Sequence, residues 1–312
     1  MNREREPSYL RLYESGELDE RIEQLYGILE SCELCPRKCR VNRLKGEKGV
    51  CKSGKNLRVS NYGPHFGEED PLVGTGGSGT IFLTNCNLHC VYCQNYEISQ
   101  LECGEVKSES QVAGYMIALQ RGGCHNINLV TPTHFAPQLV KATEYAIERG
   151  LKLPLVWNCG GYENVKIIEL LSDIVDIYLP DIKYGESEPA NKYSNAPDYF
   201  PAAKEAVKEM YRQVGNLILD DQGIAQKGLL IRHLVLPNDL AGSAEVLKFI
   251  AEEISTGSYV NVMAQYKPAG IAHQYEELSR CLTREEFDRA IISANRLKLN
   301  RGLERKHFLR FW

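Results

Sequence analysis

Six short runs rich in β-branched and aromatic residues lie at 80–84, 127–130, 153–157, 175–179, 229–236 and 259–263. Helical patterns alternate with them at about 109–120, 137–149, 164–172, 200–213 and 243–255. That alternation leaves few folds open. Apolar runs between helices read as βαβ units, whose parallel strands are covered on both faces. Six units are too few to close an eightfold barrel. The expected fold is therefore α/β, a partial (β/α)6 TIM-like barrel whose loops at the strand C-termini carry the chemistry. Residues 220–223 (Asp-Asp-Gln-Gly) read as the turn of a small hairpin feeding the fifth run.

Ahead of the barrel, residues 8–30 place Leu12, Leu18, Ile22, Leu25 and Leu29 at the spacing of an amphipathic helix. The segment 31–56 is rich in Cys, Lys and Gly and has no apolar face; so small a segment usually needs a metal to hold it. A last helix, 283–297, and an apolar tail, 307–312, are expected to pack outside the barrel. The expected division is 1–71 for the N-terminal helix and four-cysteine metal-binding segment, 72–270 for the barrel, and 271–312 for the C-terminal helix and tail.

The 312 residues are 43% hydrophobic and 25% charged, with a formal net charge of −4. That balance lacks the clustered basic face nucleic acid requires. The basic stretch 38–55, broken by Glu47 and glycines, reads as a solvated loop. Residues 1–6 lack the apolar core of a signal peptide. No apolar run approaches the ~18 residues of a membrane span, so a cytoplasmic protein is expected. In that setting eleven cysteines indicate metal or redox chemistry, not a disulfide framework. Seven fall between Cys32 and Cys93 in two tight groups. The scattered Cys103, Cys124, Cys159 and Cys281 are expected to be small buried hydrophobes, Cys159 alone standing at a strand end.

The run 80–84 leads directly into Asn85-Cys86-Asn87-Leu88-His89-Cys90-Val91-Tyr92-Cys93. Iron–sulfur clusters are held by thiolates, usually four. A C-x3-C-x2-C loop supplies three, leaving one iron of a [4Fe–4S] cluster open, and an open position marks a catalytic metal site. Zinc or inert thiols are the alternatives.

This loop resembles the signature of the radical S-adenosylmethionine (radical SAM) superfamily, C-x3-C-x-aromatic-C, with Tyr92 in the aromatic place. Over roughly 72–268 the chain is most similar to the pyruvate formate-lyase activating enzyme group, in particular its PflX-like branch. Residues 86–95, Leu-Pro-Asp-Ile-Lys (179–183), and Ile-Arg-His-Leu-Val-Leu-Pro-Asn-Asp (231–239) carry that likeness. Residues 63–69 and 132–137 look particular to the branch. The resemblance implies that S-adenosylmethionine chelates the open iron of a cluster on Cys86, Cys90 and Cys93. Its reductive cleavage then gives a 5′-deoxyadenosyl radical that abstracts hydrogen. A flavodoxin or ferredoxin-type reductant is implied, with a glycyl radical enzyme as the partner to be activated. A small-molecule or peptide substrate is the alternative, and a ferredoxin-type electron carrier a distant one.

The resemblance also places Asp181 and Lys183 near the cofactor's ribose and carboxylate, and Tyr92 against its adenine. A lysine facing that carboxylate would be a charge-assisted contact. Arg232 is an unexpected charge in an apolar run and needs a carboxylate or cofactor partner. Most of the superfamily has Gly-Gly-Glu after the second strand; here the place reads Val130-Thr131-Pro132-Thr133-His134, leaving Thr131 and Thr133 as possible acceptors for the amino group. Gly160-Gly161-Tyr162-Glu163 imitates the motif one strand later and is not mapped onto it. His65, Glu68, Glu69 and His134 are the candidates for substrate contact.

Cys32, Cys35, Cys39 and Cys51 form a second group, C-x2-C-x3-C-x11-C. Four thiolates in a core-poor segment match a closed site for zinc or an auxiliary [4Fe–4S] cluster, and the metal's binding energy would fold the segment. Reduced free thiols are the alternative.

Overall fold

The computed structural model describes residues 6–303, so the tail at 307–312 lies outside the described residues. The strands are β1 (Leu57–His65), β2 (Ser78–Leu83), β3 (Glu105–Lys107), β4 (Ile127–Val130), β5 (Leu155–Cys159), β6 (Ile177–Pro180), β7 (Ile218–Leu219), β8 (Ala225–Leu234) and β9 (Tyr259–Met263). The α-helices before β4 are α1 (Tyr9–Ser15), α2 (Glu17–Gly27), α3 (Asp70–Val73), α4 (Tyr96–Gln100) and α5 (Glu109–Arg121). After it come α6 (Ala136–Ile147), α7 (Val165–Leu170), α8 (Ser187–Ser194), α9 (Tyr199–Val214), α10 (Ser243–Phe249) and α11 (Arg284–Arg296).

Six strands, β2, β4, β5, β6, β8 and β9, pair in parallel and in chain order. This is the (β/α)6 arrangement expected from the alternation. The helices start where local chemistry starts them: Ser108 and Thr283 close capping boxes on α5 and α11. The hairpin turn expected at 220–223 joins β7 to β8. Helix 8–30 is a correction. Gly16, at φ 82°, ends α1 and begins α2, because a left-handed residue cannot continue a helix.

Two strands were not foreseen. β1 pairs antiparallel with β2 on one side and β3 on the other. Its apolar alternation stops after Leu57 and Val59, and Asn, Gly and Pro follow, so it lacks a strand-like pattern. The sheet therefore takes in residues that a division at 71 assigns to the N-terminal segment. Tyr9, Leu18, Leu25 and Leu29 also share one core with Ile81, Leu129 and Trp157.

His65 pairs with Ser78, so β1 delivers the chain to the N-terminal end of the parallel strands. Residues 66–77 then turn beneath the barrel. Leu72 of α3 packs with Val156, Ile177, Leu179 and Leu230, and the Leu72 carbonyl accepts from Asn126 at 2.8 Å. The return is tight at Gly76, where a Cβ would lie 1.9 Å from the Gly123 carbonyl oxygen. Only glycine fits there.

Candidate functional site

Five of the six parallel strands, and the segment just after β6, send residues from the C-terminal end of the sheet into one cavity of about 300 Å3. Phe82 and Leu83 come from β2, Val130 from β4, Asn158 and Cys159 from β5, Arg232 and Leu234 from β8, and Met263 from β9; Asp181 and Lys183 follow β6. Cys86, Cys90, Cys93 and Tyr92 line the same cavity.

Each of the three sulfurs receives a hydrogen bond. The Leu88 backbone N–H donates to Cys86 Sγ at 3.3 Å, Ser194 Oγ to Cys90 Sγ at 2.9 Å, and Ser99 Oγ to Cys93 Sγ at 3.2 Å. Donors aimed at sulfur stabilise thiolates, the form that binds a cluster, so the donor set fits an iron–sulfur group. Burial pushes the Cys86 thiol up and the Cys90 thiol up to about 11, with the Lys183 ammonium opposing. Tyr92 is buried, edge-on to Tyr184 and Tyr266. Among the described residues, neither cysteine group gathers three side chains tightly enough to grip a single metal ion.

Arg232 is a hub. Its Nε donates to Asp181 Oδ1, Nη1 to Glu68 Oε1 and Nη2 to Asn158 Oδ1, each at 2.7 Å. Lys183 Nζ reaches the other Asp181 oxygen at 2.6 Å. Burial alone would raise the Asp181 carboxyl, but the Arg232 and Lys183 charges hold it down at about 2. Glu68 Oε2 accepts from Asn128 and Asn158, both at 3.0 Å. Glu68 thus enters the barrel from beneath and ties β4, β5 and β8 together. Glu69, on the same loop, accepts from Asn261 of β9 at 2.9 and 2.8 Å.

These placements revise the substrate-contact candidates. His65 lies in the cavity wall, edge-on to Phe82. Glu68 lines the floor with both oxygens engaged, and Glu69 turns to β9 instead. His134 does not reach the cavity: it is buried, with Nε2 2.9 Å from the Thr84 carbonyl. Thr133 is also buried and donates to Glu163 Oε1 at 2.5 Å, away from the cavity. Thr131 does line it, at φ 61°, a left-handed conformation that costs a non-glycine residue about 1–3 kcal/mol and clusters at functional sites. Of the Gly-Gly-Tyr-Glu stretch Gly160 lines the cavity, whereas Glu163 does not, and burial raises its carboxyl to about 8. Cys124 and Cys159 are buried as expected, whereas Cys103 and Cys281 are exposed, both lying in irregular chain with no core to enter.

Burial depresses His134 to about 3, with its Thr84 bond opposing, and no hydrogen bond reaches Nδ1. The folded chain therefore refuses a proton that the unfolded chain accepts. Stability is full above the unfolded value near 6.5 and falls as pH drops toward 3, by about 1.4 kcal/mol per unit. Urea unfolding of His134→Gln should show a shallower decline between about pH 6.5 and 4 than the parent. Equal slopes would remove His134 as a source of acid lability.

The four-cysteine head is fastened to this site. Arg37 donates to the carbonyl oxygens of Asn87 (3.0 Å) and Asn195, and His89 Nε2 lies 3.2 Å from the Val50 carbonyl. Buried Arg43 donates to the His134 and Gly54 carbonyls at 2.7 and 2.5 Å, with Nη1 4.0 Å from Cys32 Sγ. Cys32 and Cys35 are buried and Cys39 and Cys51 partly so, all four as free thiols.

Residues 80–219 match the family model for the radical SAM superfamily. Over 292 residues, 91% of this chain and 80% of the relative, the sequence is 32% identical to an uncharacterized protein of Methanocaldococcus jannaschii, MJ0674. The chain belongs to the radical SAM superfamily. A second uncharacterized protein of that organism, MJ0808, is 26% identical over 168 residues, 49% of each chain. A radical SAM methyltransferase from Sphaerobacter thermophilus overlays with a TM-score of 0.49 at 12% identity, covering 70% of this chain and 63% of the other. The superfamily uses a [4Fe–4S] cluster, S-adenosylmethionine and a reductant. Among the described residues no helix is long and apolar enough to cross a membrane.

Proposed function

We propose that this chain is an oxidoreductase in which Cys86, Cys90 and Cys93 hold the [4Fe–4S] cluster and Asp181, Lys183, Arg232, Tyr92 and Thr131 surround S-adenosylmethionine. The observation that carries this reading is the single cavity lined by the three cysteines and by the charged ends of β6 and β8. When bound, cluster and cofactor supply reductive C–S cleavage and hydrogen abstraction. The chain binds, orients and excludes water. Lys183 supplies a cation for the cofactor's carboxylate, Asp181 an acceptor for its ribose, and Arg232 holds Asp181 in place. His65, which has a ring in the cavity wall, is the residue best placed to meet substrate. The head is proposed to hold one metal centre, zinc or an auxiliary cluster.

The finer reading is activation of a glycyl radical enzyme by abstraction from a glycine Cα. It is supported by the PflX-like motifs, including 63–69, which now supplies the cavity floor. A small molecule or peptide is the other substrate class. Reconstituted protein with reductant and S-adenosylmethionine should release 5′-deoxyadenosine. Lys183→Ala and Asp181→Ala should keep the cluster and weaken cofactor binding by roughly 30–150-fold, as expected when a charged contact of about 2–3 kcal/mol is lost. Unchanged binding in both would remove them from the pocket. With fractionated extract, a glycyl-radical EPR doublet on a large protein supports activation. Stimulation that tracks only low-molecular-weight fractions rejects it.

A further inference from the structure

Between Cys32 and Arg58 nine Lys and Arg stand against two Glu, a balance of +7 in a chain whose total is −4. The stretch that reads as a solvated loop is in fact wrapped around the cysteine loop. Arg37 binds the Asn87 carbonyl, Lys52 Nζ donates to the Gln100 carbonyl at 3.2 Å, and Ser53 accepts from Asn85 at 3.0 Å. Lys38, Lys45, Lys52 and Lys55 are exposed, and none of them forms a salt bridge among the described residues. Apolar side chains stand out among these cations: Leu44 and Val50 are each 38% exposed, and Leu101, beside Gln100, is 60% exposed.

We propose that this basic face is where a small acidic one-electron donor protein docks to reduce the cluster. The proposal rests on the reading that Cys86, Cys90 and Cys93 hold that cluster. An acidic donor is drawn to the head and repelled by the rest of the chain, which carries all of the net negative charge. A few exposed apolar groups inside a charged rim suit the small, short-lived interfaces of electron transfer. Nucleic acid fits less well. Residues 31–58 contain no aromatic side chain on which a base could stack.

The test uses the anaerobically reconstituted full chain and the variant Lys38→Glu/Lys45→Glu/Lys55→Glu, with reduced flavodoxin as donor and dithionite as control. At low ionic strength the flavodoxin rate should fall about tenfold or more in the variant, and the gap should close as salt is added. Dithionite reduction and S-adenosylmethionine affinity should not change. Equal flavodoxin rates, or a wild-type rate indifferent to salt, overturn the docking surface. So does nucleic-acid binding that the variant loses while its flavodoxin rate is kept. A chain that takes up no reducible cluster overturns the site reading itself, and dithionite alone detects that.

Discussion

Replacing Cys86, Cys90 and Cys93 together by alanine is expected to abolish 5′-deoxyadenosine release and the reduced-state EPR signal. Nothing else in the cavity offers a thiolate in their place. Among the described residues Cys159 is the one other cysteine in the wall, and a single thiol cannot supply three ligands. Ser194→Ala, which removes the donor to Cys90 and with it the partner of the Tyr184 hydroxyl, should leave the iron bound and shift the cluster's potential, since hydrogen bonds to sulfur tune it. The triple variant also isolates the head. Zinc near one per chain would mark a structural site at Cys32, Cys35, Cys39 and Cys51, and about four irons an auxiliary cluster. Retention of all wild-type iron by the triple variant would refute the cluster assignment, and a metal-free triple variant would refute the head's.

The second large effect is on stability. Arg232→Met should cost about 3–5 kcal/mol, because Glu68 loses its cation and Asp181 keeps only Lys183. Against a typical total of about 5–15 kcal/mol, that is severe. The penalty is mostly an uncompensated buried charge, so Glu68→Gln added to Arg232→Met should recover part of it, a coupling that a double-mutant cycle in urea reads directly. A cost below about 1 kcal/mol for Arg232→Met would mean that the pair is solvated and the floor is not closed by it.

The six parallel strands were legible because most of their residues are buried and apolar, a pattern local residues display even where Asn128, Asn158, Arg232 and Asn261 interrupt it. Their observed ends differ from the expected ones by a few residues, as at 153–157 against Leu155–Cys159. β1 was not legible. It is an edge-side strand whose outer residues face solvent, so Asn, Gly and Pro carry no penalty there. The cysteine loop was visible from spacing, and Arg232 because a charge in an apolar run demands a partner. Which partner was beyond reach: Glu68 lies 164 residues away and Ser194 is 104 residues from Cys90. His134 misled for a related reason. A polar residue past a strand end suggests a pocket, but a single turn of 3-10 helix over Thr133–Phe135 carries its ring into the core.

The loop that floors the cavity has a bearing on how the chain reaches its folded state. Neighbouring βα units pair over short sequence distances, whereas Glu68 meets Arg232 and Glu69 meets Asn261 across 164 and 192 residues. Contacts that close such long loops carry the larger entropy cost and tend to form late. The barrel wall can thus assemble progressively along the chain, while its floor waits for β8 and β9. Until then Arg232 has no carboxylate from beneath, and the interior stays open to water. Refolding followed at the cavity should therefore lag behind refolding followed at the sheet, and Glu68→Gln should chiefly speed unfolding, leaving the rate of sheet formation little changed.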